Sequence, residues 1–258
     1  MIQVEIEDIV RNIGKNIGFL QPAYEAIVNS LEANATEISI EFFQDNQVQM
    51  DGCDGKLNSF VITDNGDGFN DKNIKSFKKL WSAHKIEMGC KGSGRFTWLN
   101  VFKDVCIKSE LAASKQSIEI PFSLSFDVEK NIAINNDSKI TQNRTTITFQ
   151  NLTESIYNNS KDGRKRKDLR DPANLNAIHD KIFNYLWVKL FLLKKQNKSF
   201  KITIQLNNST LSKEYRIAFR VHHQWFFFCN KRIPVCESCS DRLPFSEVCL
   251  RINRIILI

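Results

Sequence analysis

The sequence YEAIVNSLEANATEISIEFF occupies residues 24–43, and it predicts a helix over 21–34 that leads directly into a strand over 37–43. Apolar residues recur every three or four positions in the first part, whereas apolar and polar residues alternate in the second. Glu25 and Asn29 are four residues apart, so they lie on one helix face beside the apolar stripe. Taken alone, such a polar pair is most simply a solvated surface.

Length and composition set broad limits on the protein. At 258 residues the chain can hold one large domain, or one domain and part of another. Its net charge of +7 permits contact with polyanions but decides neither fold nor function. No apolar run of about 18 residues is present, so no membrane span is expected. The first residues carry acids and lack a signal-peptide core, so we expect a cytoplasmic protein whose seven cysteines are thiols.

Periodicity along the rest of the chain predicts an interleaved series of helices and strands. Further helices are predicted over 4–18, 71–82 and 175–193, with 97–102 opening a helix or lying buried. Further strands are predicted over 59–63, 104–111, 116–126, 131–134, 144–152 and 201–206, with weaker patterns at 214–221 and 224–235. The polar, basic segment 158–172 is expected to be a loop. This order favours a two-layer α/β sandwich with a mixed, largely antiparallel sheet.

In the stretch VITDNGDGF, residues 61–69, an acidic residue lies where a predicted strand ends and a glycine-containing turn begins. Gly66 and Gly68 permit backbone conformations and close approaches that side chains would forbid, and Asp64 lies at their entrance. Asn-Gly and Asp-Gly are also ordinary hairpin signals, so a simple turn explains this stretch equally well. A calcium loop fits poorly, because no acidic residue follows at the required spacing.

A third stretch, GCKGSGRF at residues 89–96, is a glycine loop with two cations. Its backbone N–H groups could face an anion, with Lys91 and Arg95 adding positive charge. A helix beginning near Phe96 would direct its positive end at the same anion. The chain contains no phosphate-binding motif of the Walker type.

Together, E-x-x-x-N-S-x-x-A, D-N-G-x-G-F and K-G-x-G-R, in this order, resemble the GHKL ATPase superfamily, which includes DNA gyrase B, the ninety-kilodalton heat-shock chaperone, histidine kinases and MutL. The resemblance covers roughly residues 5–206 and implies the Bergerat ATP-binding sandwich. It predicts an ATPase domain over 1–208. Residues 209–258 would be an incomplete or divergent C-terminal extension, and 226–235 faintly resembles the start of the transducer domain of gyrase B and MutL relatives.

The resemblance also implies roles for individual residues. Asn29 would coordinate Mg²⁺, Glu25 would be the general base, and Asp64 would accept a hydrogen bond from the adenine amino group of ATP. Residues 78–95 would form a mobile lid. The remaining nucleotide-binding residues would be Ala33, Asn65, Gly66, Gly68, Lys91, Gly92, Ser93, Gly94, Arg95 and Thr145.

Two positions depart from the pattern of the superfamily. The late-strand threonine usually follows a glycine, but here Arg144 precedes Thr145, which leaves Thr146 as a competing choice. Glu32 stands where many relatives have aspartate, so we do not assign it to the site.

Two other candidate sites have simpler explanations. Four thiolates could hold zinc, with His222 or His223 as substitutes, but the spacing is irregular and free thiols are the preferred interpretation. The cysteines concerned are Cys229, Cys236, Cys239 and Cys249. The basic stretch 163–170 could contact nucleic-acid phosphates, although a solvated loop is favoured.

Two functions of different kinds remain open at this stage. The first is an ATP-binding protein that hydrolyses ATP slowly and uses lid closure and homodimerisation to control a partner or a downstream domain. The second is a nucleotide-gated binding module with little turnover, acting on DNA or in a defence system. A histidine kinase catalytic domain is disfavoured, because Glu25 is present and no phospho-acceptor helix precedes it.

Overall fold

A computed structural model describes residues 6–13, 17–45, 55–78, 94–127, 130–159, 166–195, 199–206 and 212–217. The described α-helices are α1 Ile6–Ile13, α2 Gln21–Glu32, α3 Asp71–Lys78, α4 Phe96–Val101 and α5 Leu175–Lys195. The described strands are β1 Glu37–Gln44, β2 Leu57–Asp64, β3 Phe102–Leu111, β4 Gln116–Phe122, β5 Ala133–Asn136, β6 Arg144–Leu152, β7 Tyr157–Asn159, β8 Arg166–Asp168, β9 Phe200–Leu206 and β10 Ser212–Ile217.

Eight of these strands form one sheet in the order β10-β9-β1-β2-β6-β3-β4-β5. Strands β1 and β9 run parallel, and every other neighbouring pair in this sheet is antiparallel. The prediction of a mixed, largely antiparallel sheet in an α/β sandwich is therefore confirmed. A parallel pair requires a long crossover connection, and here the chain between β1 and β9 supplies it.

The sheet buries one face under the helices and leaves the other largely polar. Alternation in β1 places Ile38, Ile40 and Phe42 in the core, while Glu37 and Glu41 are exposed. Aromatic side chains concentrate at the centre of the buried face, where edge-on and stacked pairs link neighbouring strands and the segment before α2. The members of this cluster are Phe19, Phe60, Phe102 and Phe149.

Several elements differ from the sequence-based expectation at their ends. The predicted strand 116–126 ends at Phe122, because a turn follows in which Phe126 N–H bonds to the Ser123 carbonyl. The strand expected at 131–134 is shifted to Ala133–Asn136. The helix expected over 4–18 is helical over Ile6–Ile13, and residues 17–18 are not helical.

The segment 158–172 was expected to be a loop, and this expectation was wrong for residues 158–159 and 166–168, which lie in strands. Strands β7 and β8 form a separate antiparallel pair. Arg170 explains the order, because its guanidinium bonds to Asp168 and Asp45 and lies 5.4 Å from the centre of the Tyr157 ring. An arginine that is paired with two carboxylates in this way helps to hold the surrounding segments in place.

Strand β10 pairs antiparallel with β9, so the sheet continues to Ile217. The pattern expected at 224–235, the four cysteines considered for zinc, and the two histidines beside them lie outside the described residues. No helix in the described part of the chain is long and apolar enough to cross a bilayer.

Candidate functional site

Helix α2 carries the polar pair of the opening stretch. Its buried face consists of Pro22, Ala23, Ala26, Ile27, Ser30 and Leu31. Glu25 and Asn29 are half-buried one turn apart beside this face. The helix ends where Asn34 adopts a left-handed conformation with φ of 61°, and Ala35 N–H bonds to the Ser30 carbonyl. This end of the helix is therefore fixed against the start of β1.

Asp64, at the end of β2, is a buried carboxylate held by two donors. Only 6% of the residue is exposed. Its Oδ2 accepts a hydrogen bond from Ser30 Oγ at 2.7 Å, and its Oδ1 accepts one from Gly66 N–H at 2.9 Å. Burial raises the pKa of the Asp64 carboxyl, and the two hydrogen bonds act in the opposite direction. The Ser30 contact ties this acid directly to helix α2.

Both glycines of the turn after β2 are required by their surroundings. A Cβ atom on Gly66 would lie 2.7 Å from the carbonyl oxygen of Ala33. Gly68 has φ of 62°, and a Cβ there would lie 2.6 Å from Ser109 Oγ. The turn thus packs its backbone against helix α2 on one side and strand β3 on the other.

Two hydroxyl groups lie beside the acid on neighbouring strands. Thr145 of β6 is opposite Asp64 in the strand register and is 4% exposed. Its Oγ1 is 3.2 Å from Ser109 Oγ, which also accepts a hydrogen bond from Phe69 N–H. Thr146 points to the other face of the sheet, where its hydroxyl is 3.3 Å from that of Thr63. The structure therefore places Thr145, and not Thr146, on the Asp64 side.

Asn65 and Ala33 fasten the turn to the α2–β1 connection. Asn65 Oδ1 accepts hydrogen bonds from the backbone N–H groups of Thr36 and Glu37, each at 2.9 Å. The carbonyl oxygen of Ala33 accepts a hydrogen bond from Asp67 N–H at 2.7 Å. The exposed Asn65 side chain thus holds the backbone of the site in place.

The described end of the glycine loop lies against helix α2. A Cβ atom on Gly94 would collide with the carboxylate of Glu25, so this loop residue and the acid are in contact. The Arg95 guanidinium lies 4.6 Å from the Phe77 ring centre and 4.9 Å from that of Phe96. Burial lowers the pKa of Arg95 to about 10, which leaves it positively charged at neutral pH.

Three predicted site residues and most of the predicted lid cannot be placed. Lys91, Gly92 and Ser93 lie outside the described residues, as do positions 79–93 of the lid. The structure brings together the other predicted residues: Glu25, Asn29 and Gly94 at one end, and Ala33, Asp64, Asn65, Gly66, Gly68 and Thr145 at the other, with Arg95 beside Gly94.

Sequence reasoning missed two buried serines that hold the site together. Ser30 stands on the apolar face of α2, and Ser109 stands in the buried phase of β3 between Ile107 and Leu111. A polar residue at a core position must find a hydrogen-bond partner, so both positions carried a usable signal.

Metal binding at this site would depend on the ligand's own oxygen atoms. Among the residues that the structure describes, no cluster of three or more acidic, histidine or cysteine side chains could hold a metal ion. Mg²⁺ accepts a single protein oxygen when phosphates and water complete its shell, and the half-buried Asn29 carboxamide fits that need. The donor set therefore fits a metal that arrives with a phosphate ligand.

Helix α2 with Glu25 and Asn29, a buried acid at the end of a strand with a glycine turn, and a mixed sheet together match an α/β ATPase-type sandwich of the GHKL superfamily. The chain belongs to the family described as histidine kinase-, DNA gyrase B-, and HSP90-like ATPases, whose sequence profile matches residues 21–162. Membership supports ATP binding by this domain. No curated protein matches the sequence.

Three solved structures resemble the fold at low identity. The MutL ATPase domain of Aquifex aeolicus complexed with ADP is 16% identical, with a TM-score of 0.39 over 74% of this chain and 60% of that chain. The N-terminal domain of a DNA repair protein is 14% identical, with a TM-score of 0.41 over 78% and 53%. The 43K ATPase domain of Thermus thermophilus gyrase B in complex with an aminocoumarin is 14% identical, with a TM-score of 0.43 over 76% and 45%. The chain thus spans less than two thirds of each of these structures.

Proposed function

We propose that this domain binds Mg-ATP and hydrolyses it slowly to ADP and phosphate. The observation that carries the proposal is the 2.7 Å hydrogen bond between Ser30 Oγ and Asp64. It joins the buried acid of the glycine turn to the helix that carries Glu25 and Asn29. The acid proposed to bind adenine is thereby linked directly to the helix proposed to act at the phosphates.

Recognition of adenine would rest on the Asp64 carboxylate. Its oxygens are acceptors, and adenine presents an amino donor where guanine has an oxygen. Gly66 and Gly68 keep this region free of side chains, and the buried Thr145 hydroxyl lies beside the acid. A fixed acceptor in a largely desolvated site selects strongly for a base that can donate.

Hydrolysis would use Glu25 as the general base. A water molecule attacks the γ-phosphorus, the bond from that phosphorus to the β–γ bridging oxygen breaks, and Glu25 takes the proton of the water. Asn29 would hold Mg²⁺, which supplies charge neutralisation at the phosphates when bound. The contact between Gly94 and Glu25 supports this assignment, because Gly94 is the described end of the glycine loop proposed to hold the phosphates.

The proposal extends to partners, following the superfamily resemblance. ATP would close a lid over 78–95 and favour a homodimer that acts on a protein or DNA partner, in the cytoplasm.

The test separates binding from hydrolysis with two substitutions on one helix. Glu25→Ala should still bind ATP but lose turnover by roughly 10²–10⁴-fold, the contribution of a general base. Asn29→Ala should lose the Mg²⁺-dependent part of the ATP affinity. Calorimetry and a phosphate-release assay measure both quantities, and Glu41→Ala on the exposed face of β1 is the matched control.

Two results would count against the proposal. Turnover of Glu25→Ala at the wild-type rate would remove the catalytic role of this helix. ATP binding without any wild-type turnover would favour the alternative of a nucleotide-gated binding module.

A further inference from the structure

Helix α5 lies along the helix that carries Glu25 and is joined to it by side chains. Lys189 Nζ is 3.0 Å from Glu32 Oε1 near the end of α2, and the Glu32 side chain is buried. One helical turn earlier on α5, Tyr185 stacks on Tyr24 with ring centres 4.2 Å apart and planes 13° apart. The stack and the ion pair fix the position of α5 against α2.

The hydroxyl of Tyr185 is linked to the general base proposed above through the side-chain amide of Gln21. Gln21 Nε2 lies 3.4 Å from the same hydroxyl and 3.3 Å from Glu25 Oε1, at the long end of hydrogen bonding. Gln21 therefore connects Glu25, on its own helix, with Tyr185 on α5.

We propose that Tyr185 is a positioning residue that orients the Glu25 carboxylate for taking a proton from water; this inference rests on the proposed function. A glutamate side chain has several rotatable bonds, and holding it costs conformational entropy unless contacts restrict it. The hydrogen bond from Gln21, whose amide also donates to the Tyr185 hydroxyl, and the contact with Gly94 restrict it. A carboxylate can accept about four hydrogen bonds, so acceptor capacity remains for the water.

The Tyr185 hydroxyl accepts the hydrogen bond from Gln21, and its surroundings favour the protonated, neutral form. Burial raises the pKa of the Tyr185 hydroxyl, the hydrogen bond from Gln21 lowers it, and the neighbouring charge of Glu25 raises it again. The net direction is upward from the ordinary tyrosine value, so the hydroxyl stays neutral at neutral pH.

The packing role of Tyr185 can be separated from its role toward Glu25. The stack on Tyr24 needs only the two rings, whereas the link to Glu25 through Gln21 needs the hydroxyl. Tyr185→Phe therefore keeps the packing and removes the hydroxyl that holds Gln21. Tyr24→Phe is the matched control, because it removes the hydroxyl of the stacking partner.

The experiment compares Tyr185→Phe, Tyr24→Phe and Glu25→Ala with the wild-type protein in steady-state ATP hydrolysis, calorimetric ATP binding and thermal unfolding. We expect Tyr185→Phe to lower kcat by about 10-fold, since misoriented catalytic groups lose rate more than binding. Its KM, ATP affinity and Tm should match wild type. Tyr24→Phe should match wild type in every measurement.

The outcomes distinguish this inference from the proposed function. An inactive Glu25→Ala beside a fully active Tyr185→Phe overturns the role of Tyr185 alone. A drop in kcat that occurs equally in Tyr24→Phe, or only together with a lowered Tm, assigns Tyr185 to packing and also overturns its role. Wild-type turnover in Glu25→Ala, or no turnover in the wild type, overturns the proposed function and this inference with it.

Discussion

Asp64→Asn is a sharp test of adenine recognition because it preserves the shape of the side chain. One oxygen remains, and it should stay with Gly66 N–H, which needs an acceptor. The new amide group then replaces the oxygen that faces Ser30. Ser30 can adapt, since its hydroxyl is also within 3.1 Å of the Ala26 carbonyl and can donate there while accepting from the amide.

This rearrangement predicts a loss of affinity with little loss of stability. The amide would present a donor to the adenine amino donor, and an unsatisfied pair of this kind costs roughly 1–3 kcal/mol. The affinity for Mg-ATP should therefore fall by roughly 5- to 150-fold. The free energy of unfolding should change by less than about 1 kcal/mol, because every buried polar atom keeps a partner.

Calorimetry with Mg-ATP measures the first quantity, and urea unfolding measures the second. Asp67→Asn is a matched control, since it changes the same residue type in the same turn at an exposed position, where Asp67 bonds to Asn34. Equal ATP affinity of Asp64→Asn and the wild type would refute the reasoning. A comparable loss in Asp67→Asn would assign the effect to charge alone.

Two further predictions concern the same turn. Gly68→Ala should lower the free energy of unfolding, measured in urea, by roughly 2–5 kcal/mol, because the left-handed backbone and the contact with Ser109 both oppose a side chain. The control Gly18→Ala should be nearly neutral, since a Cβ atom on Gly18 would have nothing within 4 Å. Equal losses of stability in the two variants would contradict this prediction. Because burial raises the pKa of the Asp64 carboxyl, its contribution to stability is present below the ordinary aspartate pKa and is lost as the pH rises through the raised value. As the pH rises through that window, the free energy of unfolding of the wild type, measured in urea, should therefore fall relative to that of Asp64→Asn. Above the raised pKa the difference between the two proteins should stay constant. A difference that is the same at every pH would contradict the raised pKa of Asp64.

Local patterns were sufficient to predict the elements that carry the site. Helix α2, strand β1 and strand β2 with its glycine turn follow from periodicity and turn chemistry within short stretches. The position of Thr145 on the buried Asp64 side could also have been predicted, because Thr145 shares the strand alternation of Ile147 and Phe149, which are buried.

Contacts between distant segments could not be predicted in the same way. Tyr185 is 164 residues from Gln21, and an exposed tyrosine on a long amphipathic helix has no feature that indicates a partner. The β7–β8 pair was missed for a similar reason, since its order depends on Arg170 meeting Asp45, far earlier in the chain. Such contacts depend on the assembled sheet, which a periodic pattern does not specify.

The contact between Gly94 and Glu25 distinguishes two reasons for a glycine. At Gly68 an added methyl group would meet atoms of strand β3, so folding itself excludes a side chain. At Gly94 it would meet the end of a long side chain, which can swing away at little cost in stability. A substitution there would leave a folded protein whose acid points elsewhere. Selection on turnover, rather than selection on stability, is what would retain glycine at position 94.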